Sequence, residues 1–179
     1  KLYFDLLIQD EQFSFAKKYI RKMWKVAPHL EYRDSLLVLA QKIKIDLLDL
    51  IRFVVVGDSN AEESKILIVE ASIFDKKWDT ARKEIRELLG DHPKKEVCLL
   101  MAEIEGGENN DIQKKNSWIL RSRDGKNNKI WVCALSYKEQ YSWTSISKGG
   151  FFNSLEWREP NMLNQIQIKD NRSLSYENK

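Results

Sequence analysis

A pattern that recurs at a distance constrains this chain most. In residues 10–30, "DEQFSFAKKYIRKMWKVAPHL", Phe13, Ala16, Ile20, Met23 and Ala27 fall three and four apart on one helical face, and Pro28 stops the helix. In residues 75–95, "DKKWDTARKEIRELLGDHPKK", Trp78, Ala81, Ile85, Leu88 and Pro93 repeat the spacing. Ala16–Ile20–Met23–Pro28 and Ala81–Ile85–Leu88–Pro93 share offsets of 4, 3 and 5, and the copies lie 65 residues apart. An alanine here marks a close helix crossing, because a larger side chain would push the two helices apart. The bulky residues fill the gap to the next helix pair, and the proline turns the chain into it.

That separation is about twice the ~34-residue period of a tetratricopeptide (TPR) repeat, so it demands a middle copy. "SLLVLAQKI" (35–43) and "IDLLDLIRFVVV" (45–56) supply two apolar helices, ended by "GDSN" (57–60). This copy lacks the small residue and the proline. Residues 1–9 read as the remnant of a leading helix. "KKEVCLLMAEIE" (94–105) is helix-like, "GGENND" (106–111) reads as a turn, and "IQKKNSWILRS" (112–122) brings Trp118 and Leu120 inward. The expected fold is all-α: about three and a half antiparallel helical hairpins in a TPR-like right-handed superhelix, with Ala16 and Ala81 buried at crossings. The repeats occupy 1–125.

After "RDGKNN" (123–128) the character changes. "KIWVCAL" (129–135) and "QYSWTSI" (140–146) are expected as short strands, "SKGG" (147–150) as a turn, and "FFNSLEWREP" (151–160) as a further extended piece. The tail is thus irregular or β-containing over 126–160, followed by a polar, flexible C-terminus over 161–179. Trp131, Trp143 and Trp157 are expected to act as packing groups that clamp this tail on the last hairpin, since a solenoid end needs a cap. The rival reading is an aromatic ligand platform.

Few breakers, three prolines and seven glycines in 179 residues, favour helix. Thirty basic against 27 acidic residues leave a net charge of only +3, too small an excess for a dedicated nucleic-acid binder. The two cysteines, Cys98 and Cys133, make no disulfide framework and suit a reducing compartment. No apolar run reaches 18 residues. The chain opens on Lys1 and directly on an apolar pattern, so an anchor or domain upstream is expected.

Catalytic and metal chemistry find little support. The two histidines, His29 and His92, each sit beside a helix-ending proline and read as loop or cap residues. Cys98 falls within a helix pattern as a small core residue. Cys133 and Ser136 have the spacing of half a zinc ribbon without a second pair, so a four-ligand set is not supplied locally. An enzyme would require clustered ionisable groups, such as Glu103 and Glu105 meeting residues of the tail; Glu103 otherwise joins the tail tryptophans as a structural or possible binding surface. No nucleotide loop or nucleophile elbow occurs. We therefore expect no catalytic residue, no cofactor, no metal and no nucleic-acid partner. Lys17, Lys18, Arg21, Lys22 and Lys25 cover the outer face of the first intact helix, a solvated face or a basic surface for phosphates or an anionic membrane.

"FSFAKKYIRKMWKVAPH" (13–29), "WDTARKEIRELL" (78–89), "VCLLMAEIE" (97–105), "IWV" (130–132), "WTSIS" (143–147) and "LEWREP" (155–160) together resemble the HemY family, alphaproteobacterial type. These are TPR inner-membrane proteins associated with haem and porphyrin biosynthesis. The resemblance covers most of the chain. It implies a non-enzymatic protein-binding scaffold, its soluble part facing the cytoplasm, anchored in the bacterial inner membrane by helices upstream of Lys1, with haem-pathway enzymes as partners. A tetrapyrrole-binding protein, or a TPR interaction module unrelated to haem, are the alternatives. Some relatives carry paired tail cysteines. Here Ser136, Ser147 and Gly149 stand near those places, so metal binding is not carried over. Lys114 stands where the last repeat should have a small residue, which implies a splayed hairpin.

Overall fold

The structure is a computed structural model and describes residues 1–126, 129–140 and 143–158. The chain divides into two compact units, Lys1–Lys126 and Asn127–Lys179. The expectation for 161–179 lies outside the described residues.

The first unit holds eight helices: α1 (Leu2–Gln9), α2 (Phe13–Val26), α3 (Arg33–Ile43), α4 (Leu47–Val55), α5 (Glu62–Phe74), α6 (Trp78–Arg86), α7 (Lys95–Glu108) and α8 (Ile112–Arg121). A 3-10 turn at Leu30–Tyr32 precedes α3. Successive helices pack in pairs, α1 with α2, α3 with α4, α5 with α6 and α7 with α8; α1 also meets α3, α2 meets α4, and α5 meets α7. The residues read as a leading-helix remnant form the helix α1, with Phe4, Leu7 and Ile8 buried.

Every pair is closed by one left-handed residue. Glu11, Lys44, Lys76 and Asn110 all have φ between 52° and 57°. In three of the turns a backbone N–H reaches back five residues into the preceding helix: Gln12 to Leu7, Ile45 to Ala40 and Lys77 to Ser72. These bonds satisfy carbonyls that a helix end leaves orphaned.

Ala16 and Ala81 are both fully buried, as the repeated spacing requires. Ala16 belongs to a core with Phe4, Ile20, Trp24, Leu39 and Ile51. Ala81 belongs to a second core with Val69, Ile85, Val97, Met101 and Ile104. Ala81→Leu should therefore cost about 1–3 kcal/mol by overpacking, read as a shifted urea midpoint.

Three expectations need correction. First, a whole helix was missing: α5 completes four helix pairs where three and a half were expected. It buries Ile66, Leu67, Ile68 and Val69 consecutively, so it shows no one-sided stripe. Second, Gly106 and Gly107 do not form a turn but continue α7. A Cβ on Gly107 would lie 2.5 Å from the Trp78 ring, and one on Gly106 would lie 2.8 Å from Lys115 Cδ. The glycines are contact surfaces for α6 and α8. The small residue of this last pair thus sits on α7, and Lys114 points outward beside Asp111 instead of splaying the hairpin. Third, Leu120 is 55% exposed, so of the two residues expected inward only Trp118 packs on the core.

Gly107→Ala tests the second correction. Alanine ordinarily favours a helix interior over glycine by about 0.8–1.0 kcal/mol. Here the Trp78 ring must move, and we expect a net loss of about 1–2 kcal/mol. Gly90→Ala, where a Cβ meets open space, is the control and should change little.

Among the described residues the second unit forms a three-stranded antiparallel sheet of order β2-β1-β3, with β1 (Ile130–Cys133), β2 (Glu139–Gln140) and β3 (Leu155–Arg158). Trp131 pairs across to Gln140 and Trp157, and Cys133 to Leu155. Of the second strand expected over 140–146, Gln140 lies in β2, residues 141 and 142 lie outside the described residues, and 143–145 are not in a strand. Beyond them the chain makes a separate bridge, Ile146 to Phe152, around the 147–150 turn. Gly150 takes φ 83° there, and its N–H donates to the Ser147 carbonyl.

Candidate functional site

The firmest cross-helix polar constellation lies on α3, α5 and α7. Arg33 opens α3, its Nε donating to Glu70 on α5 at 2.8 Å and its Nη2 donating to Glu96 on α7. One guanidinium thus joins three helices that are far apart in sequence. Burial lifts the Glu70 carboxyl to about 7; Arg33 opposes this, while Glu96 and Glu103 push further in the same direction as burial. Glu103 is exposed one turn beyond Leu99, which is 39% exposed. Two carboxyl groups therefore share one arginine, with the Glu103 charge acting on Glu70 beside them, an arrangement with more acidic than basic groups.

Glu105, grouped with Glu103 in the sequence, is instead buried within the second core. Arg82 on α6 donates to both its oxygens, at 2.9 and 3.1 Å, and also to Glu108. Hydrogen bonds from Arg82 hold the Glu105 carboxyl below the usual range. This is a helix-to-helix strut.

The basic residues fall on α2 as expected. Lys18, Lys22 and Lys25 are exposed, and Lys17 and Arg21 lean on Phe53 of α4, 5.1 and 4.8 Å from the ring centre. His29 caps the 3-10 turn, its Nδ1 accepting from the Glu31 N–H, and His92 is exposed. Cys98 is buried in α7.

In the second unit, Trp131 and Trp157 are half-buried neighbours, their rings 5.3 Å apart and tilted by 57°. Trp143 is 49% exposed and lies outside the strands. The sheet thus brings two of the three named tryptophans together.

Beside them the turns 133–136 and 147–150 close on Cys133. The buried sulfur accepts from the Ser136 N–H at 3.3 Å and the Ser147 hydroxyl at 3.3 Å, and lies 3.2 Å from the Ser154 hydroxyl. The Phe151 N–H donates to Ser147 Oγ, which leaves the Ser147 proton for the sulfur. Gly149 approaches so closely that a Cβ would lie 2.2 Å from Ser136 Oγ. Ser136, Ser147 and Gly149 do converge with Cys133, as hydrogen-bonding and packing partners. Among the described residues, no group of three His, Cys, Asp or Glu is placed to hold a metal.

Burial raises the Cys133 thiol, but the donors from Ser136, Ser147 and Ser154 outweigh it and bring it down to about 6. Burial pushes Cys98 upward. Thiolate ultraviolet absorbance should therefore rise in two separate steps, the lower near pH 6, and Cys133→Ala should remove that one. A folded-state value below the unfolded one means the donors' contribution is complete above about pH 9 and is lost as pH falls through about 6. A single step at alkaline pH would contradict this.

The chain is a mostly helical protein carrying a small three-stranded sheet. No protein-family model, curated protein or solved structure matches it. Among the described residues no helix is long and apolar enough to cross a membrane.

Sequence reasoning missed Arg33, Glu70 and Glu96. The interval from Arg33 to Glu70 is 37 residues, near one repeat length, and that was the available signal.

Proposed function

We propose that this chain is a non-enzymatic, TPR-like protein-binding scaffold whose binding face is carried by α3, α5 and α7. The observation that carries the reading is the turn spacing. The left-handed residues Glu11, Lys44, Lys76 and Asn110 recur at intervals of 33, 32 and 34 residues, the period of a tetratricopeptide array. In such arrays the first helix of each pair lines the binding face. Here those helices bear Arg33, Glu70, Glu96, Leu99 and Glu103. Carboxylates in excess of arginine, beside an exposed leucine, suit a partner segment with a lysine or arginine flanked by apolar residues.

The resemblance to HemY proteins supplies the wider setting: the soluble part of a membrane-anchored scaffold linked to haem or porphyrin biosynthesis, facing the cytoplasm. Co-purification from membranes with the anchored full-length protein tests this. Haem-pathway enzymes should be recovered, and the recovery should disappear when residues 1–126 are deleted. Equal recovery without those residues would sink the scaffold reading. Tetrapyrrole binding makes a different prediction, a micromolar absorbance shift with tryptophan quenching on titration with haem.

A further inference from the structure

We infer that the face formed by α2 and α4 docks on an anionic lipid surface. The exposed ridge of α2 runs Phe15, Lys18, Lys22, Lys25, Val26, residues three, four, three and one apart, so they share one side of the helix. Its two ends are apolar and open, Phe15 being 66% and Val26 73% exposed. Beside this ridge Lys17 and Arg21 lie over the Phe53 ring. On α4, Arg52 is exposed one turn before Val56, which is 49% exposed. Lys25 reaches across to the end of α4, its Cε 3.3 Å from where a Cβ on Gly57 would stand.

Six cations thus cover two neighbouring helices. Among the described residues none of the six is in an ion pair, whereas Arg33, Lys65, Lys77, Arg82, Lys94 and Lys114 in the same unit all have carboxylate partners. Asp49, one turn before Phe53, is the carboxylate on α4 closest in sequence to this face. The patch runs along the exposed sides of two neighbouring helices over more than three turns of α2. Its complement is therefore a broad anionic surface rather than a single phosphate.

Two features favour lipid over nucleic acid. Apolar side chains bracket the lysines, and an interface-seated helix buries such groups among acyl chains while its lysines stay at the headgroups. The ridge presents no asparagine or glutamine to read bases, and lysine supplies four of the six cations. This inference concerns α2 and α4 and stands apart from the partner-binding reading on α3, α5 and α7.

The test is co-sedimentation of the full 179-residue chain with vesicles of equal parts phosphatidylglycerol and phosphatidylcholine, against phosphatidylcholine alone. Binding should require phosphatidylglycerol and weaken with salt. Lys18→Gln/Lys22→Gln/Lys25→Gln should reduce it roughly a hundredfold, about fivefold for each lysine. Phe15→Ser/Val26→Ser should reduce it roughly tenfold through a loss that salt does not reproduce. All five positions are exposed, so helix content by circular dichroism should stay unchanged. Failure to sediment, equal binding to both vesicles, or insensitivity to the triple variant would overturn the inference. So would tighter binding to duplex DNA or RNA that is indifferent to Phe15→Ser/Val26→Ser.

Discussion

Trp24→Ala should cost about 3–5 kcal/mol of unfolding free energy, the largest single loss we expect in this chain. Trp24 is fully buried on α2. Its Nε1–H donates to Ser64 Oγ at 2.8 Å, and that hydroxyl donates to the Asp58 carbonyl at 2.7 Å. One side chain therefore joins α2, the loop after α4, and the first turn of α5. Alanine leaves a ring-sized cavity and takes the donor from a buried hydroxyl. Trp24→Phe keeps most of the volume and loses the hydrogen bond, so about 1–2 kcal/mol is expected. Urea unfolding followed by far-ultraviolet circular dichroism reads both, and comparable losses would refute the cavity argument.

Arg82→Ala should cost about 3 kcal/mol, because it strands a buried carboxylate. Glu105 is 5% exposed and receives two hydrogen bonds from Arg82. Glu105→Gln should cost less, since it removes the charge that needs a partner. The sign with pH follows from the depressed Glu105 carboxyl. The pair's contribution is complete above the ordinary carboxylate value and is lost as pH falls through the lower folded-state value. The gap between wild type and Arg82→Ala should accordingly narrow on acidification. A gap that stays constant down to strongly acid pH would assign the loss to packing of the arginine stem.

The parts legible in the sequence were those with a local chemical reason. Ala16 and Ala81 announced close crossings because only a small side chain fits there. The helix α5 was hidden by its own burial, since four consecutive apolar residues from Ile66 to Val69 carry no helical period. The breaks at Lys44 and within 106–111 were legible, but the left-handed form of the turns was not, because Glu11, Lys44, Lys76 and Asn110 occupy a conformation usually signalled by glycine. The real glycines misled in the opposite sense, Gly107 being a seat for the Trp78 ring. Of the polar constellations, Cys133 and Ser136 showed their relation through spacing, and the α2 lysines through periodicity. Arg33, Glu70 and Glu96 meet only when three helices stack, and no single window contains them.

On the proposed function, partners dock on the face of α3, α5 and α7. A photo-crosslinking residue placed at Glu103, exposed on α7, tests it most directly against the same residue at Lys83, exposed on α6. In cells that make the protein, a discrete partner adduct is expected from position 103 and none from position 83. An adduct from 83 alone, or equal adducts from both, would contradict it.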